Sequence, residues 1–291
     1  MFARHPYTIP LPGGRSLVLG GRTLVMGILN VTPDSFADGG QWLRPSDAVD
    51  AALRMEQDGA DLIDVGGEST RPGADPLPLD EELSRVLPVV EALASRLAVP
   101  LSVDTYKSGV ASRAVAAGAA IVNDISALRY DPALAGVVAA SGAALILMHN
   151  RGRSSDMYRE AVYEDVVGEV GAELRERAAA AAAAGVEKRR LVLDPGIGFA
   201  KRAAHSLALL AGLERLGALG YPLLVGPSRK SFLQEALGER QPADREWGTA
   251  AAVAAAVLGG AHIVRVHGVK AMADVVKTID AIRGATPGAG G

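Results

Sequence analysis

Short runs of Val, Ile and Leu recur along the chain, each followed by a polar or glycine-containing turn and then by a segment with helical character. The runs lack alternating polar positions, which is typical of strands buried on both faces of a parallel sheet. Eight such runs are present, at 24–30, 61–66, 101–104, 120–123, 143–148, 191–194, 223–226 and 261–266. The pattern therefore predicts eight β/α units.

The segments between these runs have the features of helices. Four are clear, at 46–58, 80–96, 107–117 and 162–184, and several begin with a Ser or Asp that can cap a helix. Gly59, Gly118 and Gly185 stand where helices should end. The units repeat about every 34 residues, which is the period of a (β/α)8 TIM barrel. A doubly wound open sheet has the same alternation and is the alternative.

No linker or change in composition divides the repeats, so we predict a single barrel domain over residues 24–283. Residues 1–23 would form an N-terminal extension. Its end, 17–25, has Gly20 and Gly21 between two apolar runs, which predicts a β-hairpin that closes the bottom of the barrel. The Gly- and Pro-rich residues 284–291 are expected to form a frayed tail.

Composition removes several classes of function. The 291 residues include no cysteine, which excludes disulfides, thiolate catalysis and cysteine-ligated metals. A net charge of -3 argues against nucleic acid as a partner. The start of the chain lacks a signal-peptide core, and the most apolar stretch, 248–266, suits a buried helix followed by a strand rather than a membrane span. We therefore expect a cytoplasmic protein without a membrane partner.

Polar residues end nearly every strand-like run. They are Asn30, Asp64, Asp104, Asn123, His149, Asp194, Ser228, and Arg265 with His267. In a barrel these positions meet at the carboxyl-terminal mouth, where active sites of this fold lie. Helix capping could account for any single Asp or Asn. It does not account for Arg, His and Lys side chains at the same rim.

The residue types at this rim indicate two kinds of ligand. Asp104, Asn123, Asp194 and Lys230 offer donors and acceptors suited to the edge of a flat, nitrogen-rich heterocycle. Arg265 and His267, two residues apart on one strand end, form a compact anion site. Asn30 offers a neutral oxygen suitable for Mg²⁺, which is often shared with substrate phosphates. Phe199 follows the tight turn made by Gly196 and Gly198 and offers an aromatic wall.

Eight segments, in order from the first strand to the last, resemble the dihydropteroate synthase family. They are GILNVTPDSF (27–36), DVGGESTRPGA (64–74), SVDTYK (102–107), VNDIS (122–126), LMH (147–149), LDPGIGFAK (193–201), PSRKSF (227–232) and RVH (265–267). The resemblance covers roughly residues 24 to 283. It implies an enzyme of folate biosynthesis that condenses a pterin diphosphate with p-aminobenzoate and releases diphosphate. It also implies Mg²⁺ as cofactor, a homodimer, and inhibition by sulfonamides.

The same resemblance implies roles for individual residues. Those implied to bind the pterin are Asp104, Asn123, Met148, Asp194, Lys230 and Arg265. Those implied to bind diphosphate are Asn30, Thr70, Arg71, Arg265 and His267, with Asn30 also the Mg²⁺ ligand. Those implied to bind p-aminobenzoate are Thr70, Pro72, Phe199, Lys230 and Ser231, the last at a helix N-terminus. Asn30, Asp104, Lys230, Arg265 and His267 are the expected catalytic set.

The chain departs from the family pattern at three places. Asn150 and Arg151 replace a Gln-Gly type sequence, Ala200 replaces a common glycine, and Gly268 replaces a frequent aspartate. None of these positions is one assigned to direct ligand binding. Three rival functions fit parts of the pattern: a pterin-dependent methyltransferase acting on a corrinoid protein, an aldolase with Lys201 or Lys230 as Schiff base, and a pterin-binding barrel without enzymatic activity.

Overall fold

A computed structural model describes residues 4–32, 44–71, 73–153 and 158–285. Eight parallel strands form one sheet, in which strands consecutive in the chain are neighbours and the first strand pairs with the last. A parallel bridge from Leu193 to Leu223 joins the two remaining edges and closes the sheet. The predicted (β/α)8 barrel is confirmed, and the open sheet is excluded, because a closed sheet has no edge strand.

The eight barrel strands begin and end close to the predicted bounds, and an N-terminal hairpin adds two more strands. They are β1 (Tyr7–Pro10), β2 (Ser16–Leu19), β3 (Leu24–Asn30), β4 (Leu62–Gly66), β5 (Leu101–Asp104), β6 (Ile121–Asp124), β7 (Ala144–Met148), β8 (Leu191–Asp194), β9 (Leu224–Val225) and β10 (Ile263–Val266). The helices are α1 (Pro45–Gln57), α2 (Leu79–Ala94), α3 (Ser108–Ala116), α4 (Leu134–Ser141), α5 (Val166–Ala183), α6 (Ala203–Ala211), α7 (Leu213–Gly217), α8 (Gln234–Leu237), α9 (Glu246–Leu258) and α10 (Val269–Gly284).

The predicted helix ends have clear physical causes. Gly59, Gly118 and Gly185 all have positive φ angles, a conformation that stops a helix and that glycine adopts without steric cost. At the other end of α5, the Asp165 side chain accepts a hydrogen bond from the Gly168 amide and caps the first turn. None of the helices in the described ranges is long and apolar enough to cross a membrane.

The N-terminal hairpin exists, but its predicted position was wrong. β1 pairs with β2 in antiparallel register, from Tyr7 opposite Leu19 to Pro10 opposite Ser16. The chain reverses at residues 11–15, where Gly13 and Gly14 both have positive φ angles. Residues 24–25 are not part of the hairpin, because they belong to β3, which pairs on both sides with barrel strands. Gly20 and Gly21 therefore only connect the hairpin to the barrel.

The hairpin covers the amino-terminal end of the barrel, as predicted. Ile9, Leu11, Leu17 and Leu19 pack with side chains from the first residues of the barrel strands and form an apolar floor. A larger cluster fills the space between the strands and the surrounding helices. With the floor sealed by apolar side chains, the polar strand ends lie at the opposite mouth.

Candidate active site

The predicted strand-end residues lie side by side around the mouth. Asn30 is in register with Gly66, Gly66 with Asp104, and Asp104 with Asn123. Farther along, Asp194 is in register with Met148. Gly66 leaves room for its neighbour, because a Cβ at that position would lie 3.3 Å from Cβ of Asp104. The closed sheet thus brings together residues separated by more than 160 positions in the chain.

Asp64 is the centre of the hydrogen-bond network in the mouth. Its Oδ2 accepts hydrogen bonds from Nε of Arg265 at 2.6 Å and from Nδ2 of Asn123 at 2.9 Å. Nη2 of the same arginine donates to Oδ2 of Asp104 at 2.7 Å. Arg265 therefore bridges two carboxylates from neighbouring strands, while Asp64 also holds the Asn123 side chain.

Burial determines how Asp104 ionises. Loss of hydration raises the pKa of Asp104 to about 7, although the positive charge of Arg265 opposes this shift. The nearby carboxyl of Asp64 acts in the same direction as burial. Burial alone would lower the pKa of Arg265, but Asp64 and Asp104 together raise it, so the guanidinium stays charged. A carboxyl that titrates near neutral pH in a cleft is typical of a functional site.

Asp194 and Lys230 form a second group across the mouth. The Nζ atom of Lys230 donates to the carbonyl oxygen of Ile197 and lies 4.4 Å from the centre of the Phe199 ring. Burial lowers the pKa of Lys230 to about 8, against the opposing effect of the Asp194 carboxylate. Burial also raises the pKa of Asp194.

The turn after β8 places this pair. Oδ1 of Asp194 accepts from the Gly196 amide at 2.7 Å, and the His149 amide donates to the Asp194 carbonyl at 2.8 Å. Gly196 has a φ of 66°, and a Cβ there would lie 2.0 Å from the His149 carbonyl oxygen. No other residue fits this approach, so glycine is required for the turn that presents Phe199.

His267 lies beside the positive charges. Its Nδ1 is 2.9 Å from Oγ of Ser228, and its own amide donates to the same oxygen at 3.2 Å. In the tautomer in which the serine hydroxyl donates to Nδ1, Nε2 carries the ring proton and is a donor. Burial lowers the pKa of His267 to about 3, and the charges of Arg265, Arg229, Lys230 and Arg71 add to this shift. Several cations around one neutral histidine make an anion site.

The remaining predicted residues are found at the rim. Thr70 is half-buried and Arg71 exposed, on the loop after β4, and Met148 is buried at the end of β7. Ser231 is exposed and begins a 3-10 turn, Ser231–Leu233, that continues into the short α8. Pro72 and the last four residues of the GILNVTPDSF segment, 33–36, lie outside the described residues.

The residues present fit a shared magnesium site rather than a cage made by protein alone. In the described parts of the chain, no three His, Asp or Glu side chains form a group that could hold a metal. Asn30 ends β3 at the mouth, and its side chain supplies a neutral amide oxygen there. One neutral oxygen combined with substrate phosphate oxygens is a donor set that Mg²⁺ accepts.

Two groups were missed as site residues by sequence reasoning. Asp64 and Ser228 were recognised as strand-end residues but were given no role, although they position Arg265, Asn123 and His267. The signal was present, because both end a strand in the predicted set. Sequence alone could not show which strand-end side chain accepts hydrogen bonds from several neighbours.

The second missed group contains Lys201. Its Nζ lies 2.9 Å from Nδ1 of His149 and donates to the carbonyl of Phe199 at 2.8 Å, while Nε2 of His149 lies 3.3 Å from Glu173. Lys201 is 2% exposed, and burial lowers its pKa well below the usual value. It ties the turn carrying Phe199 to the end of β7. An amine buried to this extent is poorly suited to attack a carbonyl substrate and form a Schiff base.

Two of the three sequence departures contact Tyr163. Arg151 pairs with Glu169 and Glu173 on α5 and stacks on the Tyr163 ring at 4.1 Å. Ala200 has a φ of 49°, a left-handed conformation that glycine adopts more readily. Its carbonyl accepts a hydrogen bond from the Tyr163 hydroxyl at 3.0 Å, which holds this conformation in place.

Comparison with known proteins agrees with this geometry. The sequence profile of the family described as pterin binding enzyme matches residues 26–267. A dihydropteroate synthase of Synechocystis sp. is 47% identical over 274 residues, which cover 94% of this chain and 95% of that protein.

Solved structures agree as well. The structure of Xanthomonas albilineans dihydropteroate synthase with 4-aminobenzoic acid superimposes with a TM-score of 0.89 at 47% identity, covering 96% of this chain and 100% of that one. The same organism's enzyme in complex with 7,8-dihydropteroate gives a TM-score of 0.84 at 44% identity, covering 94% and 98%.

The family match spans most of the chain and includes every strand of the barrel. The chain therefore belongs to the pterin-binding enzyme family. Its relatives within that family, matched over nearly their whole length, carry the name dihydropteroate synthase.

Proposed function

We infer that this chain is a dihydropteroate synthase, a transferase of folate biosynthesis. It condenses 6-hydroxymethyl-7,8-dihydropterin diphosphate with p-aminobenzoate to form 7,8-dihydropteroate and diphosphate. One observation carries the inference. A carboxylate-rich site suited to a heterocycle lies directly beside a group of cations suited to an anion, and Arg265 belongs to both. A substrate with a pterin at one end and a diphosphate at the other matches that arrangement.

The heterocycle half of the site suits the pterin ring. Asp104, Asn123 and Asp194 offer carboxylate and amide groups to ring N–H and carbonyl groups, while Lys230 supplies a cation and Met148 an apolar surface. Arg265 uses Nε and Nη2 on the two carboxylates and therefore fixes their positions. An ionised Asp104 would stabilise the positive charge that develops on the pterin as diphosphate leaves.

Departure of diphosphate is the difficult step, since the aromatic amine is already nucleophilic. The nitrogen forms a bond to the pterin methylene carbon, the carbon–oxygen bond to diphosphate breaks, and the nitrogen loses a proton. Arg265, the Nε2–H of His267, Thr70 and Arg71 would bind the departing oxygens. Asn30 would hold Mg²⁺ there, and the ion would neutralise charge on the diphosphate.

The p-aminobenzoate half rests on Phe199 and its neighbours. Lys230 lies over the Phe199 ring, so the ring and the lysine stem form one wall. Ser231, with the amides of the turn that it begins, would bind the carboxylate, and Thr70 would contact the same substrate. Sulfonamides would compete at the same place.

The rival functions fit the site less well. A pterin-dependent methyltransferase needs the heterocycle half, but it has no use for a cluster of cations around His267. An aldolase needs an accessible amine, whereas Lys201 is 2% exposed and the Lys230 amine is bound to the Ile197 carbonyl over the Phe199 ring. A barrel that only binds pterin would not release diphosphate.

A coupled assay tests the proposal directly. Purified protein is mixed with the pterin diphosphate and Mg²⁺, and diphosphate is measured before and after addition of p-aminobenzoate. We expect release that depends on both p-aminobenzoate and Mg²⁺, together with a pteroate product. Benzoate, which lacks the amine, is the matched control. Release that is the same with benzoate would exclude the transferase reaction.

We also propose that the protein is a cytoplasmic homodimer. Leu258 on α9 and Ile282 on α10 are exposed large apolar residues on two helices that pack against each other. Burial of these side chains against a second copy would remove apolar surface from water. Sedimentation equilibrium of the protein and of a Leu258→Glu, Ile282→Glu variant tests this, with a shift to monomer expected in the variant.

A further inference from the structure

Arg229, next to Lys230, has an unusual backbone conformation. Its φ is 59°, in the left-handed region that a residue with a long side chain rarely adopts. Such conformations persist only where the surroundings hold them, and they are frequent at functional sites. Arg229 was assigned no role on sequence grounds.

The start of α9 and the residue before it hold the Arg229 backbone. The Arg229 amide donates to Oγ1 of Thr249 at 3.0 Å, and Nη1 of Arg245 donates to the Arg229 carbonyl at 2.9 Å. Both peptide groups on either side of the strained residue are therefore fixed. The conformation directs the side chain toward the end of β10.

Glu246 then fixes the side chain itself. Nε of Arg229 donates to Oε2 of Glu246 at 2.9 Å. The other carboxylate oxygen occupies the space next to Gly268, since a Cβ built on Gly268 would lie 2.0 Å from Oε1 of Glu246 and 3.8 Å from Nη2 of Arg229. The guanidinium thus lies beside the residue that follows His267.

Gly268 has no backbone reason to be glycine. Its φ of -87° and ψ of 74° are accessible to other residues, and the Val269 amide donates to the His267 carbonyl at 3.2 Å in an inverse γ-turn. The obstacle to a side chain at position 268 is the Glu246 carboxylate. This position is also where the chain departs from the frequent aspartate of its family.

We propose that Glu246 is a positioning residue that aims Arg229 at the leaving diphosphate, and that it supplies from α9 the carboxylate that position 268 lacks. The proposal rests on the proposed function for the identity of the anion. Arg229 then joins Arg265 and Arg71 as a ligand of the diphosphate. Its backbone is held by Thr249 and Arg245 and its guanidinium by Glu246, so the side chain is already positioned before the anion binds.

Moving the carboxylate from position 246 to position 268 tests whether one can replace the other. Three variants are compared with the unchanged protein: Glu246→Ala, Gly268→Asp, and the double variant. Calorimetry measures the affinity for pyrophosphate with Mg²⁺ and, separately, for 6-hydroxymethylpterin, which carries no phosphate. We expect Glu246→Ala to weaken pyrophosphate binding about fivefold, as for loss of a half-exposed ion pair. Pterin affinity should stay unchanged.

Gly268→Asp alone should also weaken pyrophosphate binding, because two carboxylates then compete for one space. The double variant should regain the affinity of the unchanged protein to within about twofold, because the carboxylate is again present once. Glu246→Gln, which keeps an acceptor of the same length, should lose less than Glu246→Ala. It provides a test even if Gly268→Asp does not fold.

Glu187→Ala is the matched control, since Glu187 pairs with Arg189 and Arg190 far from the mouth. Unchanged pyrophosphate affinity in Glu246→Ala would overturn the proposal. So would a double variant whose fold-loss in pyrophosphate affinity equals the product of the two single-variant losses. The proposed function is judged separately by the coupled assay on the unchanged protein. If that assay fails while the double variant regains pyrophosphate binding, the anion site stands and the transferase assignment falls.

Discussion

The two ends of the barrel hold buried polar side chains in different ways. At the floor, His262 accepts from the Leu223 amide at Nδ1, 3.1 Å away, and its Nε2 lies 3.0 Å from the His5 carbonyl. Both ring nitrogens are used by backbone groups of fixed position. At the mouth, His267 has Ser228 on one nitrogen, and charged side chains rather than backbone surround it.

Both histidines remain neutral, but for different reasons. Burial lowers the pKa of His262 to about 4 in a site whose hydrogen bonds already suit the neutral ring. Burial also lowers the pKa of His267, to about 3, and there the positive charges of neighbouring arginines and Lys230 contribute. An anion would cancel those charges, whereas nothing at the floor would change.

The contrast separates stability from binding. Floor residues complete their interactions within the protein, so their loss should reduce the free energy of unfolding. At the mouth, the cations around His267 lie close to one another, and their repulsion costs free energy until an anionic ligand binds. This is the usual division of labour between the two ends of a (β/α)8 barrel.

Arg265→Ala should have the largest effect. It removes the bridge between Asp64 and Asp104 and a cation from the anion site, so kcat/KM should fall about 10³-fold, as for loss of a transition-state donor. The measurement is steady-state kinetics with both substrates. Arg190→Ala is the control at the floor, where Arg190 binds the carbonyl oxygens of Pro10 and Gly142. It should lower stability and leave kcat/KM within twofold; retention of turnover by Arg265→Ala would refute the anion-site assignment.

Asp194→Ala should weaken pterin binding by about 30-fold, the cost of one hydrogen bond to a charged group. Isothermal calorimetry with a pterin that lacks diphosphate measures this. Asp280→Ala is the floor counterpart, because Asp280 accepts from the Thr23 amide and pairs with Arg4. It should leave pterin affinity unchanged. Equal affinities in the two variants would remove Asp194 from the heterocycle site.

His262→Ala should lower stability and leave activity unchanged. Two backbone groups lose their partners, so the free energy of unfolding should fall by about 2 kcal/mol, seen as a lower midpoint in urea. The value of kcat/KM should change less than twofold. His267→Ala should do the opposite, with a loss of kcat/KM and little change in the urea midpoint. If His262→Ala impaired turnover at full stability, the floor would share in function and the contrast would fail.

The pH dependence of kcat/KM should be bell-shaped. Activity should rise through about pH 7 as Asp104 ionises and fall above about pH 8 as Lys230 loses its proton. The apparent values belong to the coupled cluster rather than to single residues. Because the folded state holds the Asp104 proton more tightly than the unfolded state, this group also makes stability fall as pH rises from about 4 to about 7. A flat profile between pH 6 and 9 would contradict both assignments.

The smallest effect concerns the two histidines themselves. Pyrophosphate with Mg²⁺ should raise the pKa of His267 by about one unit, since bound anion opposes the nearby cations, and should leave that of His262 unchanged. Histidine titration by NMR measures both in one sample. Equal shifts would point to a global change rather than to an anion bound beside His267.

Much of the fold could be predicted because burial leaves a local signature. Runs such as 24–30 and 191–194 have no polar residue before their last position, and the structure places strands at the same residues. The hairpin was misplaced because residues 24–25 are equally apolar in a hairpin and in a barrel strand. The partner strands, which are distant in the chain, decide between the two.

The sequence by itself determined the eight β/α units, the absence of cysteine chemistry and the set of polar residues at the strand ends. These follow from residue type and short-range spacing. Only the tertiary structure decided that Asp64 accepts hydrogen bonds from both Arg265 and Asn123, that Lys201 is sealed behind Phe199, and that Glu246 fills the space beside Gly268. Each of these depends on closure of the barrel, which brings side chains from distant positions within hydrogen-bonding distance.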